Sequence, residues 1–326
     1  MNKKPLISII IPTYNQEYLI SDAIESVLMQ DYDNFEIIIA DDCSTDNTKK
    51  IVNSFTDPRI KYYKYSSNLG RVKNYHNALY NLTNGEWVLN LDGDDFLTDN
   101  TYLSSAVNAL NSFNDDNIVL ISSNRHICKH NSKHTDYLSS NAINTKPYLY
   151  SGNEYILLLP KPPFRIYHVT SLYKKDYALQ IGFYNQDIIS TDLDSLYRLI
   201  VNKYIIRIEC KTAAWRSHAN NISTNKNIID TINNYNLIVN IYNYIKVNIK
   251  KNYNFNRWLN KNIKKKYYND ILSYLEKFDL KSIIIVDRYI HKHFPIARLL
   301  TLLNIKLYFK IFFSIIITSL KRVTRL

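Results

Sequence analysis

Asp92-Gly93-Asp94-Asp95 is the densest group of chemistry-bearing side chains in the sequence. Carboxylates two apart on a tight turn offer hard oxygen ligands. Mg2+ or Mn2+ is typically held by one or two such groups together with the phosphates of a ligand. An EF-hand does not fit, because the glycine and glutamate that its loop requires are absent. The plain alternative is an acidic turn ahead of the helix that follows Asp99. Asp41-Asp42 poses the same choice, between a carboxylate that accepts an N–H from a nucleobase and a helix-capping turn. His126, His130 and His134 recur every four residues, which suits either one face of a metal-binding helix or a solvated loop. His168 could face an acceptor or be a satisfied core histidine. Trp87 and Trp258 are read as core.

The elements that must position these groups alternate in period. Residues 6–11 and 35–40 are continuous apolar runs, as expected of strands buried on both faces. Residues 18–30 carry apolar side chains at helical spacing, as do 70–82, and 47–55 form a shorter helix. Ser44, Thr45 or Asp46 stands ready to cap that shorter helix. Residues 60–65 and 87–91 complete the set as strands. This βαβ spacing predicts a mostly parallel sheet with helices on both faces. Thr13-Tyr14-Asn15, Asp41-Asp42 and residues 92–95 each follow a strand directly, so they should meet at one sheet edge, where such sheets bind ligands. No GxGxxG or GxxxxGK[ST] loop is present, and the edge is acidic instead. A phosphorylated ligand there requires a divalent cation to screen the repulsion. Residues 123–150 read as a long, flexible acceptor loop.

The chain has 326 residues, 46% hydrophobic and 21% charged, which excludes wholesale disorder and is enough for a large core. Its three cysteines are scattered and lack metal-ligand spacing, so neither a disulfide framework nor a zinc cluster is expected, and a reducing compartment is. The apolar run near the start is too short for a secretory leader. The net charge of +12 is uneven. Residues 1–224 are close to neutral, whereas residues 225–326 carry 19 Lys and Arg against 5 Asp and Glu. Such a basic tail suits either a solvated face or an anionic partner. Residues 299–320 are apolar but interrupted by Lys306 and Lys310, and the clean run 311–320 is half a bilayer span. An amphipathic segment in a membrane interface fits, as does a helix packed on the body or on a second copy. Interleaved Lys and Tyr in 235–289 would suit a nucleic-acid surface, but no binding fold accompanies them, and no nucleic-acid partner is expected.

The ordered motifs resemble those of family-2 glycosyltransferases with a GT-A fold, of the bacterial surface-polysaccharide type. The segments that carry the resemblance are 7–15 (ISIIIPTYN), 39–48 (IADDCSTDNT), 68–74 (NLGRVKN) and 85–95 (GEWVLNLDGDD), then Thr191-Asp192-Leu193-Asp194 with Arg198, and Trp215-Arg216-Ser217-His218. They span about two thirds of the chain. The resemblance implies an α/β fold, a Rossmann-like mixed sheet flanked by helices, with a C-terminal helical extension. Residues 1–224 would form the transferase domain, with 1–100 as its nucleotide-sugar half and 101–224 as its acceptor half. Residues 225–326 would be basic, mainly helical and membrane-associating.

The same resemblance implies roles for individual residues. Pro12, Thr13, Tyr14 and Asn15 would line the nucleoside pocket, Asp42 would contact the base, and Arg71 or Lys73 would approach the base or diphosphate. Asp94 would bind Mn2+ or Mg2+, with Asp92 nearer the ribose or donor sugar, and His218 would reach the diphosphate or acceptor. Asp192 would be the catalytic base of an inverting displacement, with Asp194 as its rival unless Asp194 merely pairs with Arg198. The family often has Glu-Asp where this chain has Thr191-Asp192. The implied partners are a nucleotide sugar, UDP-linked for preference, a glycan or lipid-linked acceptor, and a homo-oligomeric copy. The implied place is the cytoplasm at the inner face of the membrane. The alternative is a non-catalytic nucleotide-sugar or glycan-binding module on the same fold.

Overall fold

The computed structural model describes residues 4–129, 131–137, 146–217, 227–250, 252–277 and 279–302. The chain forms two compact units, Met1–Ile156 with Pro163–Asn221, and Leu157–Pro162 with Ile222–Leu326.

In the first unit, β1 (Ile7–Thr13) is followed by α1 (Ile20–Leu28), β2 (Phe35–Asp41), α2 (Thr48–Val52), β3 (Ile60–Lys64), α3 (Arg71–Asn77) and β4 (Trp87–Asn90). Every residue of β1 and β2 is buried, which is why both strands are unbroken apolar runs rather than alternating ones. Helix α1 turns Ile20, Ala23, Ile24 and Val27 inward, where each of the larger side chains, Ile20, Ile24 and Val27, contributes about 1.5–3 kcal/mol. Strand β1 lies between β2 and β4, with β3 outside β2, and all three pairings are parallel. Thr13 stands opposite Asp41, so these strands end at a common edge. Pro12 lies beyond the last residue that β1 pairs with β4, so its missing N–H costs that ladder no bond.

The rest of the sheet departs from the mostly parallel expectation. After β5 (Phe96–Leu97), α4 (Tyr102–Phe113), β6 (Ile118–Lys129), β7 (Tyr148–Ser151) and α5 (Gly152–Leu158) come β8 (Ser171–Lys174), α6 (Lys175–Gln180), α7 (Thr191–Leu199) and β9 (Tyr204–Ser217). The sheet order is β3-β2-β1-β4-β8-β6-β9-β5, with β7 beside β9. Here β8 runs antiparallel to β4 and β6, and β9 antiparallel to β5 and β7, while β6 and β9 are parallel. The connections after residue 100 are not regular helical crossovers, so they do not enforce parallel pairing. The sheet is mixed.

The expected loop at 123–150 is also largely structured where it is described. β6 continues through Lys129, a short helical turn covers His134–Tyr137, and β7 begins at Tyr148. Residues 130 and 138–145 lie outside the described part. The polar run from Ser122 to His126 is a strand whose partners lie about 50 to 90 residues further along the chain. His126 is therefore on a strand and His134 on a turn, not on one helix face.

The second unit contains α8 (Ile228–Asn233), α9 (Tyr235–Asn248), α10 (Phe255–Glu276), α11 (Leu280–His293) and α12 (Pro295–Leu302). Tyr235, Ile263, Tyr267, Ile271, Val286 and Ile290 form its core. Trp87 and Trp258 are both buried. Among the described residues no helix is long and apolar enough to cross a membrane. The apolar run 311–320 lies outside them.

A buried polar knot ties the first strands together. Ser8 donates to Glu36 (2.6 Å), which also accepts from Lys61 Nζ (2.7 Å) and from the Asn84 amide (2.6 Å). Gly85 N donates to Ser8 Oγ, and a Cβ at Gly85 would stand 2.5 Å from the Ser8 nitrogen, so the crossing admits only glycine. Burial alone would raise the Glu36 carboxyl, but Lys61, Ser8 and Asn84 outweigh it and bring it down to about 2 from an ordinary 4.5. Its folded pKa is depressed, so its stabilisation is complete above the ordinary value and is lost as pH falls from there towards 2. Glu36→Gln is therefore expected to flatten the acid limb of the stability curve in that window. Denaturant titrations of both proteins from pH 6 to pH 2 measure it, and parallel curves would refute the linkage.

Candidate active site

Three loops meet at the carboxyl edge of β1, β2 and β4. Asp42 N donates to Thr13 O (2.9 Å), and Gly93 N donates to Pro12 O (3.1 Å), so the end of β1 is bonded to the loops after both of its neighbours. Asn15 adopts φ +52°, accepts from Thr45 N (2.8 Å) and donates its own N–H to Ser44 Oγ (2.9 Å). Tyr14 is 49% exposed on this edge. The Asp41 carboxylate accepts from Ser44 N and from the Tyr62 hydroxyl. The Asp42 carboxylate accepts from Leu69 N (2.6 Å) and Gly70 N (2.9 Å), which fixes the entry to α3. Gly70 has φ +84°, a conformation that side chains disfavour, so glycine is required there. Asp46, one residue ahead of the uncapped N-cap position Asn47, accepts from Thr48 N at the start of α2 and from Glu17 N.

The acidic turn after β4 brings carboxylate oxygens of Asp92, Asp94 and Asp95 within 4.8 Å of one another. Asp92 accepts from the Tyr75 hydroxyl (2.7 Å) and Asp95 from Arg216 N (2.9 Å). Burial pushes the Asp92 carboxyl up; His168 opposes this and Asp94 adds to it. Asp95 is raised well above the carboxylate range by burial, then by Asp94 and Asp92. Three crowded carboxylates in a desolvated turn call for positive charge, so the donor set fits a hard divalent cation.

Arg216 braces this turn. Wholly enclosed, it donates from Nη1 to Asp94 O (2.8 Å) and from Nη2 to Ser132 O (2.7 Å), pairs with Asp22 of α1, and lies over Phe96. His134 joins Asp22 from the other side through Nδ1 (2.9 Å). Asp22, Glu25 and His134 also converge, but Arg216 already supplies a cation to Asp22.

Asp192 stands half-buried in the first turn of α7. The Arg71 guanidinium donates to Ile189 O (2.6 Å), just ahead of that helix, and packs over Tyr75. Burial opposes the Arg71 charge, but Tyr75, Asp192 and Asp92, all within its field, outweigh that and raise its pKa. The Arg71 charge thus reaches both Asp92 of the acidic turn and Asp192. Burial, and then the Asp92 charge, keep the Tyr75 phenol protonated. His168 Nε2 bonds the Tyr184 hydroxyl (2.7 Å), which donates on to Asn90 Oδ1 (2.9 Å). Asp194 is fully buried and pairs with Arg198 (2.8 Å), which also holds Ile181 O and Gly182 O. Asp194 is therefore a structural anchor of α7.

At one edge Thr13 is bonded to Asp42, Pro12 to Gly93 and Asn15 to Ser44 and Thr45, and Tyr14 is exposed there; Arg71, Asp92, Asp94 and Asp192 share one electrostatic neighbourhood. Lys73 is exposed on α3 and has no ion-pair partner among the described residues. His218 lies outside them. Sequence reasoning missed Tyr75, read only as a core position, and Arg125. The spacing of Arg71 and Tyr75, one helical turn apart, was the available signal for the former.

The chain matches the model of Glycosyl transferase family 2 over residues 8–179. It is 39% identical over 109 residues to a Campylobacter jejuni GalNAc(5)-diNAcBac-PP-undecaprenol beta-1,3-glucosyltransferase, covering 32% of this chain and 33% of that protein. It is 42% identical over 90 residues to the Escherichia coli UDP-Glc:alpha-D-GlcNAc-diphosphoundecaprenol beta-1,3-glucosyltransferase WfgD, covering 28% and 35%. The matched stretch thus spans about a third of either relative. Among solved structures, Staphylococcus aureus TarS 1–349 in complex with UDP-GlcNAc superposes with a TM-score of 0.66 at 18% identity, over 87% of this chain and 80% of that one. A Pyrobaculum calidifontis mannosyltransferase in complex with GDP-Man and Mn2+ gives 0.55 at 14% identity, over 96% and 88%. The fold is GT-A, a mixed sheet flanked by helices, and the chain belongs to glycosyl transferase family 2.

Proposed function

We propose that the protein transfers a sugar, with inversion, from a UDP-sugar to a hydroxyl of a glycan or lipid-linked acceptor in surface-polysaccharide synthesis. The observation that carries this reading is Arg71, which lies in the fields of both Asp92 on the acidic turn and Asp192 at the start of α7. An activated leaving group and a proton acceptor need that adjacency.

In this reading Pro12, Thr13, Tyr14 and Asn15 line the nucleoside pocket and Asp42 orders the loop that faces the base. Asp94, with Asp92 beside it, holds Mn2+ or Mg2+, which when bound supplies Lewis-acid stabilisation of the departing diphosphate. The acceptor oxygen bonds the anomeric carbon as that carbon's bond to the diphosphate oxygen breaks. The diphosphate keeps the bonding pair, and the hydroxyl proton passes to Asp192. Arg71 screens Asp192 from the negative turn, so that two like charges can share one cleft. Work on a lipid-linked acceptor places the enzyme at the inner face of the cytoplasmic membrane, and we assign that contact to the basic region 225–326.

A thermal-shift series with UDP-glucose, UDP-GlcNAc, UDP-galactose and GDP-mannose, each with and without Mn2+, tests the donor assignment. A UDP-sugar at about 100 times its Kd is expected to add about 2.7 kcal/mol of stability in the presence of the metal. No response to any UDP ligand would sink the reading.

A further inference from the structure

Arg125, on β6, is not used by the chemistry above, and its surroundings are unusual. Its guanidinium lies over the ring of Tyr167 and over that of Trp215, 4.6 Å from each centroid. Its Nε is buried without a hydrogen-bond partner, and among the described residues nothing accepts from its other nitrogens. Burial works against the charge; Asp95 and Asp192 lie within its field and offset this only in part, while Arg165 adds a like charge. A guanidinium engaged through its flat faces keeps its in-plane N–H edge for recognition, and that edge matches the two oxygens of a carboxylate or phosphate.

The position narrows the ligand further. Arg125, Arg165, Tyr167 and Trp215 all come from the part of the chain that also supplies Asp192, not from the first hundred residues that carry the nucleotide-side loops. Tyr167 and Trp215 are only partly buried, as suits a platform for the flat face of a sugar ring. A neutral acceptor gives no reason for an unpaired cation beside the proton acceptor.

Building on the transferase reading, we propose that Arg125, held on Tyr167 and Trp215 with Arg165 nearby, receives a carboxylate or phosphate carried by the acceptor saccharide. The acceptor is then an acidic sugar.

Ligand-observed NMR titrations of the full chain with methyl β-D-glucuronide, methyl β-D-glucoside 6-phosphate and neutral methyl β-D-glucoside test this, each with and without UDP and Mn2+. At least one anionic glycoside is expected to bind ten-fold or more tightly than the neutral one. Preference for the glucuronide identifies a carboxylate, and preference for the phosphate ester a phosphoryl group. Arg125→Gln is expected to erase the preference and Arg125→Lys to retain part of it, with UDP affinity unchanged in both. Equal binding of all three glycosides by the wild-type protein overturns the proposal without recourse to any variant, as does a preference that survives in Arg125→Gln. Parallel titrations with UDP-glucuronate and UDP-glucose complete the set, and a preference for the anion seen only between these two moves it to the donor and also overturns the proposal. Absence of UDP binding counts against the transferase reading instead, and the glycoside comparison without UDP is judged separately.

Discussion

Asp192→Asn is expected to lower turnover by about 10²–10⁴-fold, the usual worth of a positioned general base. The isosteric amide keeps the shape of the α7 entrance but cannot take the acceptor proton. In the proposed reading UDP is held by the loops after β1, β2 and β4, so its affinity should stay close to wild type. Steady-state kinetics beside UDP titration separate the two effects. Wild-type turnover in Asp192→Asn would remove the base assignment. Asp194→Asn is the contrasting control. Asp194 is fully buried against Arg198, so its loss acts on the folding of α7 and should appear as a lower melting temperature.

The second large effect is a crossing of two stability curves at Asp94. Asp94 presses on both Asp92 and Asp95, whose carboxyls burial already raises. Asp94→Asn removes that repulsion, so the variant without metal is expected to melt above the wild-type protein without metal. With Mn2+ and a UDP-sugar the order should reverse, because the variant forgoes the ligand-linked gain of about 2.7 kcal/mol at 100 times Kd. Turnover should fall with it, and chelation of the wild-type enzyme should reproduce the loss. A residue with a purely structural role would lower stability in both conditions. If the variant responded to Mn2+ and UDP-sugar as the wild type does, Asp94 would not be a ligand.

Much of the frame formed by β1 to β4 is legible in the sequence. β1 and β2 are buried on both faces, so their residues had to be apolar without interruption, and α1 had to repeat at helical spacing. Their shared edge followed from parallel pairing. The later strands were not legible, for two physical reasons. β5 has two residues, too few to show a period. The end of β6 is polar, and its partners on β9 are remote in sequence. The chemistry-bearing carboxylates declared themselves by type and clustering, but their supports did not. Tyr75 and Arg125 look like ordinary core and surface residues until the fold sets one on Asp92 and the other between rings. Arg216 grips the backbone of Asp94 from 122 residues away, a distance that no local pattern encodes. The spacing of Asp194 and Arg198 allowed an ion pair, and the fold makes it, with Asp194 fully buried.

The change of strand direction beside β4 has a consequence for descent. Only Trp87, Val88 and Leu89 are zipped to β8, through Lys174, Tyr173 and Leu172. This narrow seam divides a frame whose ladder is self-sufficient from a layer whose strands pair mainly with one another. Insertions or exchanges on the far flank leave the near flank in register. Arg216 nonetheless reaches from β9 across that seam to Asp94 O and Asp95, so exchanges on the far flank keep the acidic turn in shape only where β9 retains this arginine.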